Sequence, residues 1–136
     1  MGNAYILVPF ANEVRGEDGT ITGAWDDVYL PVLKGILDEV KEDHKANAGK
    51  VIVFGQSGGA WLNWRFIGKY ASDITAAFLI SGRGIPDDDE LKRLDNMGIT
   101  LFIAQGRHDE LIDFSQNIEP RFPHGITELI HDIVNR

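Results

Sequence analysis

The chain has 136 residues, of which 43% are apolar and 25% charged, a balance typical of one globular domain spanning residues 1–136. Its 21 acidic residues against 13 Lys and Arg give a net charge of -8, which excludes a nucleic-acid-binding protein. Because the chain has no cysteine, it has no disulfides or thiolate metal ligands, and we expect no metal and no cofactor. The first apolar run is too short for a signal peptide or a membrane span, so we expect a cytoplasmic protein.

Apolar runs and helical patterns alternate along the chain. Four continuous apolar runs predict strands buried on both faces of a parallel sheet: Tyr5 to Pro9, Val51 to Phe54, Ala76 to Ile80 and Leu101 to Ala104. Helical spacing or capping predicts four helices: Asp27 to His44, Ala60 to Tyr70, Asp87 to Met97 and Ile126 to Val134. Residues 11–24 hold glycines and acids and predict a surface loop. This order predicts an α/β fold with a small, mostly parallel sheet of about four strands and flanking helices.

A glycine-rich turn carries the most specific functional pattern. Gly55-Gln56-Ser57-Gly58-Gly59 lies between a predicted strand and a predicted helix, and Gly-x-Ser-x-Gly in that context is typical of a serine nucleophile. We expect Gly55 and Gly59 to permit close backbone approach, and Ser57 to be held in a strained conformation that exposes its hydroxyl. The alternative is a turn that binds an anion at a helix N-terminus, or that binds nothing.

A serine nucleophile needs a carboxylate and an imidazole, and the chain offers candidates for both. Asp109 follows the last predicted strand, which puts it on the same rim of the sheet as Ser57. Glu110 and Asp113 are also available as the acid. His124 precedes the last predicted helix and gives the chain order Ser, Asp, His, whereas the competing bases are His108 and His131.

Five stretches of the chain together resemble the phospholipase/carboxylesterase family of α/β-hydrolases, which includes acyl-protein thioesterases. They are Ile6-Leu7-Val8-Pro9 with the downstream Ala24-Trp25-Asp26-Asp27, the turn Val53 to Ala60, the strand end Phe78 to Gly82, the acid loop Ile103 to Ile112, and His124 to Thr127. The resemblance implies an α/β-hydrolase-like fold. It also implies the nucleophile role for Ser57, the acid role for Asp109 and the base role for His124. The family has a helix and a strand between acid and histidine, where this chain has only residues 110–123.

This interpretation predicts an enzyme that cleaves small-molecule carboxylic esters or thioesters through an acyl-enzyme. The Gly58 amide is the expected first oxyanion donor, and the loop at Phe10 and Ala11 the expected second. Three tryptophans are candidates for an acyl pocket and are equally compatible with ordinary core or surface positions: Trp25, Trp61 and Trp64.

Two other functions remain compatible with the sequence. One is a binding or interaction module that keeps the turn without catalysis. The other is a flavodoxin-like phosphate binder that uses Gly55 to Gly59 as an anion nest. Crossovers between sequential neighbouring strands place most of the predicted helices on one face of the sheet. The other face would then be largely uncovered, and we therefore expect a homodimer that buries it.

Overall fold

The computed structural model describes residues 4–11, 14–22, 25–43 and 50–121. The chain divides into two compact units, Met1–Ala48 and Gly49–Arg136. The organisation of the chain as one domain stays a prediction, and each unit is described by itself.

The first unit contains a small hairpin and one helix. Strands β1 (Val14–Arg15) and β2 (Ile21–Thr22) pair antiparallel within the stretch that the sequence predicts to be a loop. Helix α1 (Tyr29–Asp43) confirms the helix predicted from Asp27, and the predicted end at His44 lies outside the described residues. The Trp25 ring contacts the Tyr29 ring edge-on at 5.4 Å between centroids, which packs the chain against the first turn of α1.

The predicted strand from Tyr5 to Pro9 is wrong. Residues 4–11 form no strand, and the side chains of Tyr5, Ile6, Leu7 and Val8 are exposed. An apolar run becomes a strand only where a neighbouring backbone completes its hydrogen bonds, and among the described residues this run has no strand partner. The sheet that the structure describes therefore has three strands instead of about four.

The second unit is built on a parallel sheet of strands β3 (Ile52–Gln56), β4 (Ala76–Ile80) and β5 (Thr100–Ala104). The strands lie in the order of the chain. In their register Gln56 pairs with Ile80, and Ile80 pairs with Ala104. The carboxyl ends of all three strands are therefore level, which brings the residues that follow them to one edge.

Two helices cover one face of this sheet. Helix α2 (Gly58–Tyr70) joins β3 to β4, and helix α3 (Asp88–Asn96) joins β4 to β5. When neighbouring parallel strands are joined by crossovers of the same hand, the helices of those crossovers lie on the same side of the sheet. In agreement with this, Arg93 of α3 donates to the Gly68 carbonyl of α2 at 2.9 Å. The core lies between these layers and includes Ile67, Ala77, Leu79, Leu94 and Ile103. In the described ranges, no helix is both long and apolar enough to cross a membrane.

Helix α3 begins and ends as its sequence predicts. The Asp87 side chain caps it by accepting from the Glu90 backbone N–H at 2.9 Å, and Gly98 follows the helix with a φ of 75°. A short helix α4 (Phe114–Asn117), capped by Asp113, and a 3-10 turn at Glu119–Arg121 follow β5. The predicted helix from Ile126 to Val134 lies outside the described residues.

The opposite face of the sheet is apolar and exposed. Ile52 is 61% exposed, Phe54 66% and Phe78 38%. Phe54, Phe78 and Phe102 lie side by side on the three strands, and the rings of the last two stack at 4.2 Å. The continuous apolar runs correctly indicate that both faces are apolar, but the described residues of the second unit bury one face only. We call Ile52, Phe54, Phe78 and Phe102 the phenylalanine face.

The turn between β3 and α2 depends on one glycine. A Cβ on Gly55 would lie 2.5 Å from the Gly59 carbonyl oxygen and 2.5 Å from Asn63 Nδ2, so Gly55 is required for the close approach. A Cβ on Gly59 would meet nothing within 4 Å, so the expectation that Gly59 is also required sterically is wrong.

We predict that Gly55→Ala lowers the free energy of unfolding by about 1–3 kcal/mol, because the added methyl clashes with helix backbone that cannot rotate away. The matched variant Gly59→Ala should be neutral or stabilising by up to about 1 kcal/mol, since alanine favours helix over glycine. Urea denaturation of both variants and the wild type measures the difference. Equal losses in the two variants would contradict this account of the turn.

Candidate active site

Ser57 occupies the turn between β3 and α2 in a conformation that few residues adopt. Its φ of 52° and ψ of -118° confirm the strain predicted for this serine. Two backbone hydrogen bonds hold it there: its N–H donates to the Ile80 carbonyl at 2.9 Å, and its carbonyl accepts from the Trp61 N–H at 3.0 Å. The residue is exposed, and its side chain does not cap the helix. The Ser57 hydroxyl therefore does not cap α2 and is not engaged by the amides of its first turn.

The first turn of α2 begins directly after this serine. Amides at the start of a helix have no carbonyl partner four residues earlier, and they lie at the positive end of the helix dipole. Gly58, the first residue of α2, contributes one of these amides and is exposed. The position suits a donor to a developing oxyanion, as expected for Gly58, and equally suits a bound anion.

The level strand ends place three polar residues in a row. Each follows its strand directly: Ser57 follows β3, Ser81 follows β4, and Gln105 follows β5. The backbone ladder continues past the strands, because Ser57 N–H bonds to Ile80 and Ser81 N–H bonds to the Ala104 carbonyl at 2.8 Å. Neighbouring strands are about 4.8 Å apart, so the row spans about 10 Å from β3 to β5.

Asp109 lies in the loop after β5 and is held by several donors. Its Oδ1 accepts from the backbone N–H groups of Leu111 at 2.9 Å and Ile112 at 3.0 Å. Its Oδ2 accepts from Gln105 Nε2 at 2.7 Å, and the Ser81 side chain makes the smallest hydrogen-bond contribution to its lowered pKa. The Ser81 bond brings the carboxylate to the end of β4, the strand next to that of Ser57.

These hydrogen bonds fix the charge state of Asp109. The Leu111 and Ile112 amides, followed by Gln105 and Ser81, lower the pKa of Asp109 below its ordinary value of 3.8, against the opposing effect of burial. Asp109 is therefore ionised at neutral pH. Of the alternative acids, Glu110 is exposed, and Asp113 caps α4 by accepting from Ser115 Oγ at 2.7 Å and the Gln116 N–H at 3.2 Å.

The three candidate bases differ in what the structure says of them. His108 precedes Asp109 in the loop and is exposed. His124 and His131 lie outside the described residues. The structure thus brings Ser57 and Asp109 to one edge of the sheet, and the choice of His124 as the base stays a prediction.

The other predicted site residues are distributed over both units. Trp61 lies beneath the loop after β4, where a Cβ on Gly84 would come within 2.9 Å of its ring, and the Arg65 guanidinium lies 5.3 Å from the ring centroid. Trp64 is 3% exposed, in the core of the second unit. Phe10, Ala11 and Trp25 belong to the first unit, with Phe10 exposed and the other two half-buried. Their roles as oxyanion loop and acyl pocket stay predictions.

Sequence reasoning missed Gln105 and Ser81. Both lie in stretches that carry the family resemblance, but neither was given a role. Each is a polar residue that follows an apolar strand, and such positions collect at the functional edge of a parallel sheet. Ser81 also has a φ of 47°, which only the structure reveals. Among the described residues, no group of three or more His, Asp or Glu side chains could hold a metal ion.

One curated protein is similar to this chain. It is described as "Putative hydrolase MhqD" from Bacillus subtilis (strain 168), and it is 34% identical over 97 residues, which cover 65% of this chain. The chain spans only 46% of that protein's length. No family model matches the chain, and no solved structure matches it. The similarity indicates a hydrolase-like protein at most, and the three-stranded sheet is α/β in class.

Proposed function

We propose that the protein is a serine hydrolase that cleaves carboxylic esters or thioesters. The observation that carries the proposal is the presence, at the same edge of the sheet, of a strained, exposed Ser57 and an ionised Asp109. Strain of this kind costs about 1–3 kcal/mol, and it persists at sites where function requires the geometry. The similarity to a protein described as a putative hydrolase supports the same reaction class.

In the proposed mechanism, the Ser57 hydroxyl oxygen attacks the acyl carbon while His124 accepts its proton. Asp109 orients His124 and stabilises the imidazolium that forms. His124 then returns the proton to the leaving alcohol or thiol, and the acyl-enzyme remains on Ser57. Water, activated by the same base, attacks the acyl carbon and releases the carboxylic acid and the free serine.

The oxyanion of each tetrahedral intermediate needs donors that are already in place. The Gly58 N–H is the proposed first donor, since it begins α2 directly after Ser57. The second donor, for which the sequence predicts the loop at Phe10 and Ala11, stays a prediction. Removal of one such donor typically costs about 3 kcal/mol of transition-state stabilisation. Trp61 is the proposed acyl contact of the second unit, and the predicted acyl-pocket roles of Trp25 and of Trp64, which lies in the core, stay predictions.

We also propose that the phenylalanine face is buried in a homodimer. Aromatic side chains are enriched in protein interfaces, and a contiguous exposed apolar face is unusual on a monomer. The only further helix that the sequence predicts in this unit, Ile126 to Val134, would be about 14 Å long and about 10 Å wide. Three strands with their side chains are wider than that, so a second copy of the chain is the occupant that we favour.

We predict that Ser57 is labelled covalently by a fluorophosphonate and that Ser57→Ala abolishes labelling without loss of the fold. Intact mass and circular dichroism measure the two effects. Ser81→Ala and Ser115→Ala are the matched controls and should keep the label. Labelling that persists without Ser57 contradicts the nucleophile. If the wild type is not labelled but inorganic phosphate stabilises it against melting, the turn is better explained as an anion-binding site. If the wild type shows neither labelling nor stabilisation by phosphate, the protein is better explained as a non-catalytic module.

We predict that His124→Ala loses far more esterase activity than His108→Ala or His131→Ala. Activity on a short activated ester should rise with pH through about 6–7, because the base must be neutral to accept the serine proton. Initial rates between pH 5 and 9 measure both effects. Loss of activity in His108→Ala with retention in His124→Ala would move the base to the loop of Asp109.

We predict that the wild type scatters light as a dimer of about 30 kDa, twice the chain mass of 15.1 kDa, at micromolar concentration. Phe54→Asp should shift it toward the monomer, because a charge would be buried in the interface. Leu111→Asp, an exposed position in the loop after β5, should leave the mass unchanged. A monomeric wild type would contradict the dimer.

A further inference from the structure

The polar side chain of Gln105 is buried at the point where β5 ends and the acid loop continues. It is 3% exposed, directly follows β5, and its Nε2 donates to Asp109 Oδ2 at 2.7 Å. The same nitrogen lies 3.4 Å from the Ile112 carbonyl oxygen. Both hydrogens of the amide nitrogen are thus directed at the loop that carries Asp109.

The orientation of the Gln105 amide follows from charge. The opposite orientation would set the amide oxygen against the ionised carboxylate, so the nitrogen must face Asp109. In this orientation Oε1 is buried and has no hydrogen-bond partner among the described residues. A buried acceptor without a partner destabilises a fold, and an apolar side chain of similar size would avoid that cost. Packing alone therefore does not account for an amide at this position.

We propose that Gln105 is a positioning residue that holds the Asp109 carboxylate in the orientation required by the catalytic base. The inference rests on the proposed function and extends it to a residue outside the triad. The Leu111 and Ile112 amides fix Oδ1, and Gln105 fixes Oδ2, so the carboxylate cannot rotate about its bond to Cβ.

The carboxylate keeps one acceptor position for the base. A carboxylate has about four lone-pair positions, and three of them take the strong bonds from Leu111, Ile112 and Gln105. The fourth lies on Oδ2, which takes one of these three bonds, from Gln105. The imidazole N–H of the base would take this remaining position on Oδ2.

The Gln105 hydrogen bond acts on the charge of Asp109 as well as on its orientation. All four donors to the carboxylate are neutral, and no charged side chain of the described residues contributes to its lowered pKa. A neutral donor favours the ionised form, so removal of the Gln105 amide raises the pKa of Asp109. If Gln105 acted only by filling space, without this hydrogen bond, its replacement would leave that pKa unchanged.

The test uses Gln105→Met, which keeps the volume and removes the donor, and Gln105→Glu, which keeps the shape and sets a second carboxyl against Asp109. Carbon-13 NMR titration of the Asp109 carboxyl should show a higher pKa in both variants, with the larger rise in Gln105→Glu. In Gln105→Met we expect kcat on a short activated ester to fall about tenfold with KM unchanged. Ser115→Ala, which removes the 2.7 Å donor to Asp113 at the start of α4, is the control and should move neither quantity.

The titration and the kinetics separate the two proposals. An unchanged Asp109 pKa in both Gln105 variants overturns the positioning role, even if kcat falls, because a packing defect alone would explain that fall. An unchanged kcat in Gln105→Met also overturns it. If the wild type neither turns over ester nor reacts with fluorophosphonate, the proposed function fails, and the positioning role fails with it, while the titration still measures the Gln105 contact.

Discussion

The in-phase register of three parallel strands is the constraint on which the candidate site depends. Gln56, Ile80 and Ala104 are register partners, so the sheet ends at the same level on every strand. The ladder then extends beyond the sheet through the backbone N–H groups of Ser57 and Ser81. A slip of one residue in either pairing would reverse the faces of a strand and separate the polar residues that now meet at this edge.

Ser57 keeps its strained conformation because the surrounding backbone holds it in place. Gly55 lets the start of α2 approach β3 to within contact, and Gly82 does the same after β4, where a Cβ would lie 2.5 Å from the Ala60 Cβ. The hydrogen bonds of Ser57 to Ile80 and Trp61 then close the turn from both sides. Strand β3 and helix α2 are therefore held together at the turn that carries the Ser57 hydroxyl. The packed core beneath them opposes relaxation of this turn.

Local patterns predicted most of the second unit, because its elements carry their own signals. The strand Ala76–Ile80, the cap Asp87 and the turn at Ser57 follow from short-range sequence. The failure at Tyr5 to Pro9 has the opposite cause, since an apolar run does not say whether a neighbouring strand exists to pair with it. Gln105 escaped notice for a related reason: its role depends on a carboxylate four residues later that folds back onto it, which no periodicity records.

The way Asp109 is held bears on what it can do. Where an arginine or lysine binds a carboxylate, its charge is largely compensated and little attraction is left for another cation. Here the four donors are neutral, so the carboxylate is ionised and oriented without being compensated. Such a group stabilises a positive charge that appears nearby only transiently, as an imidazolium does while it carries the proton of a serine. Neutral donors thus suit Asp109 to the role of a triad acid better than an ion pair would.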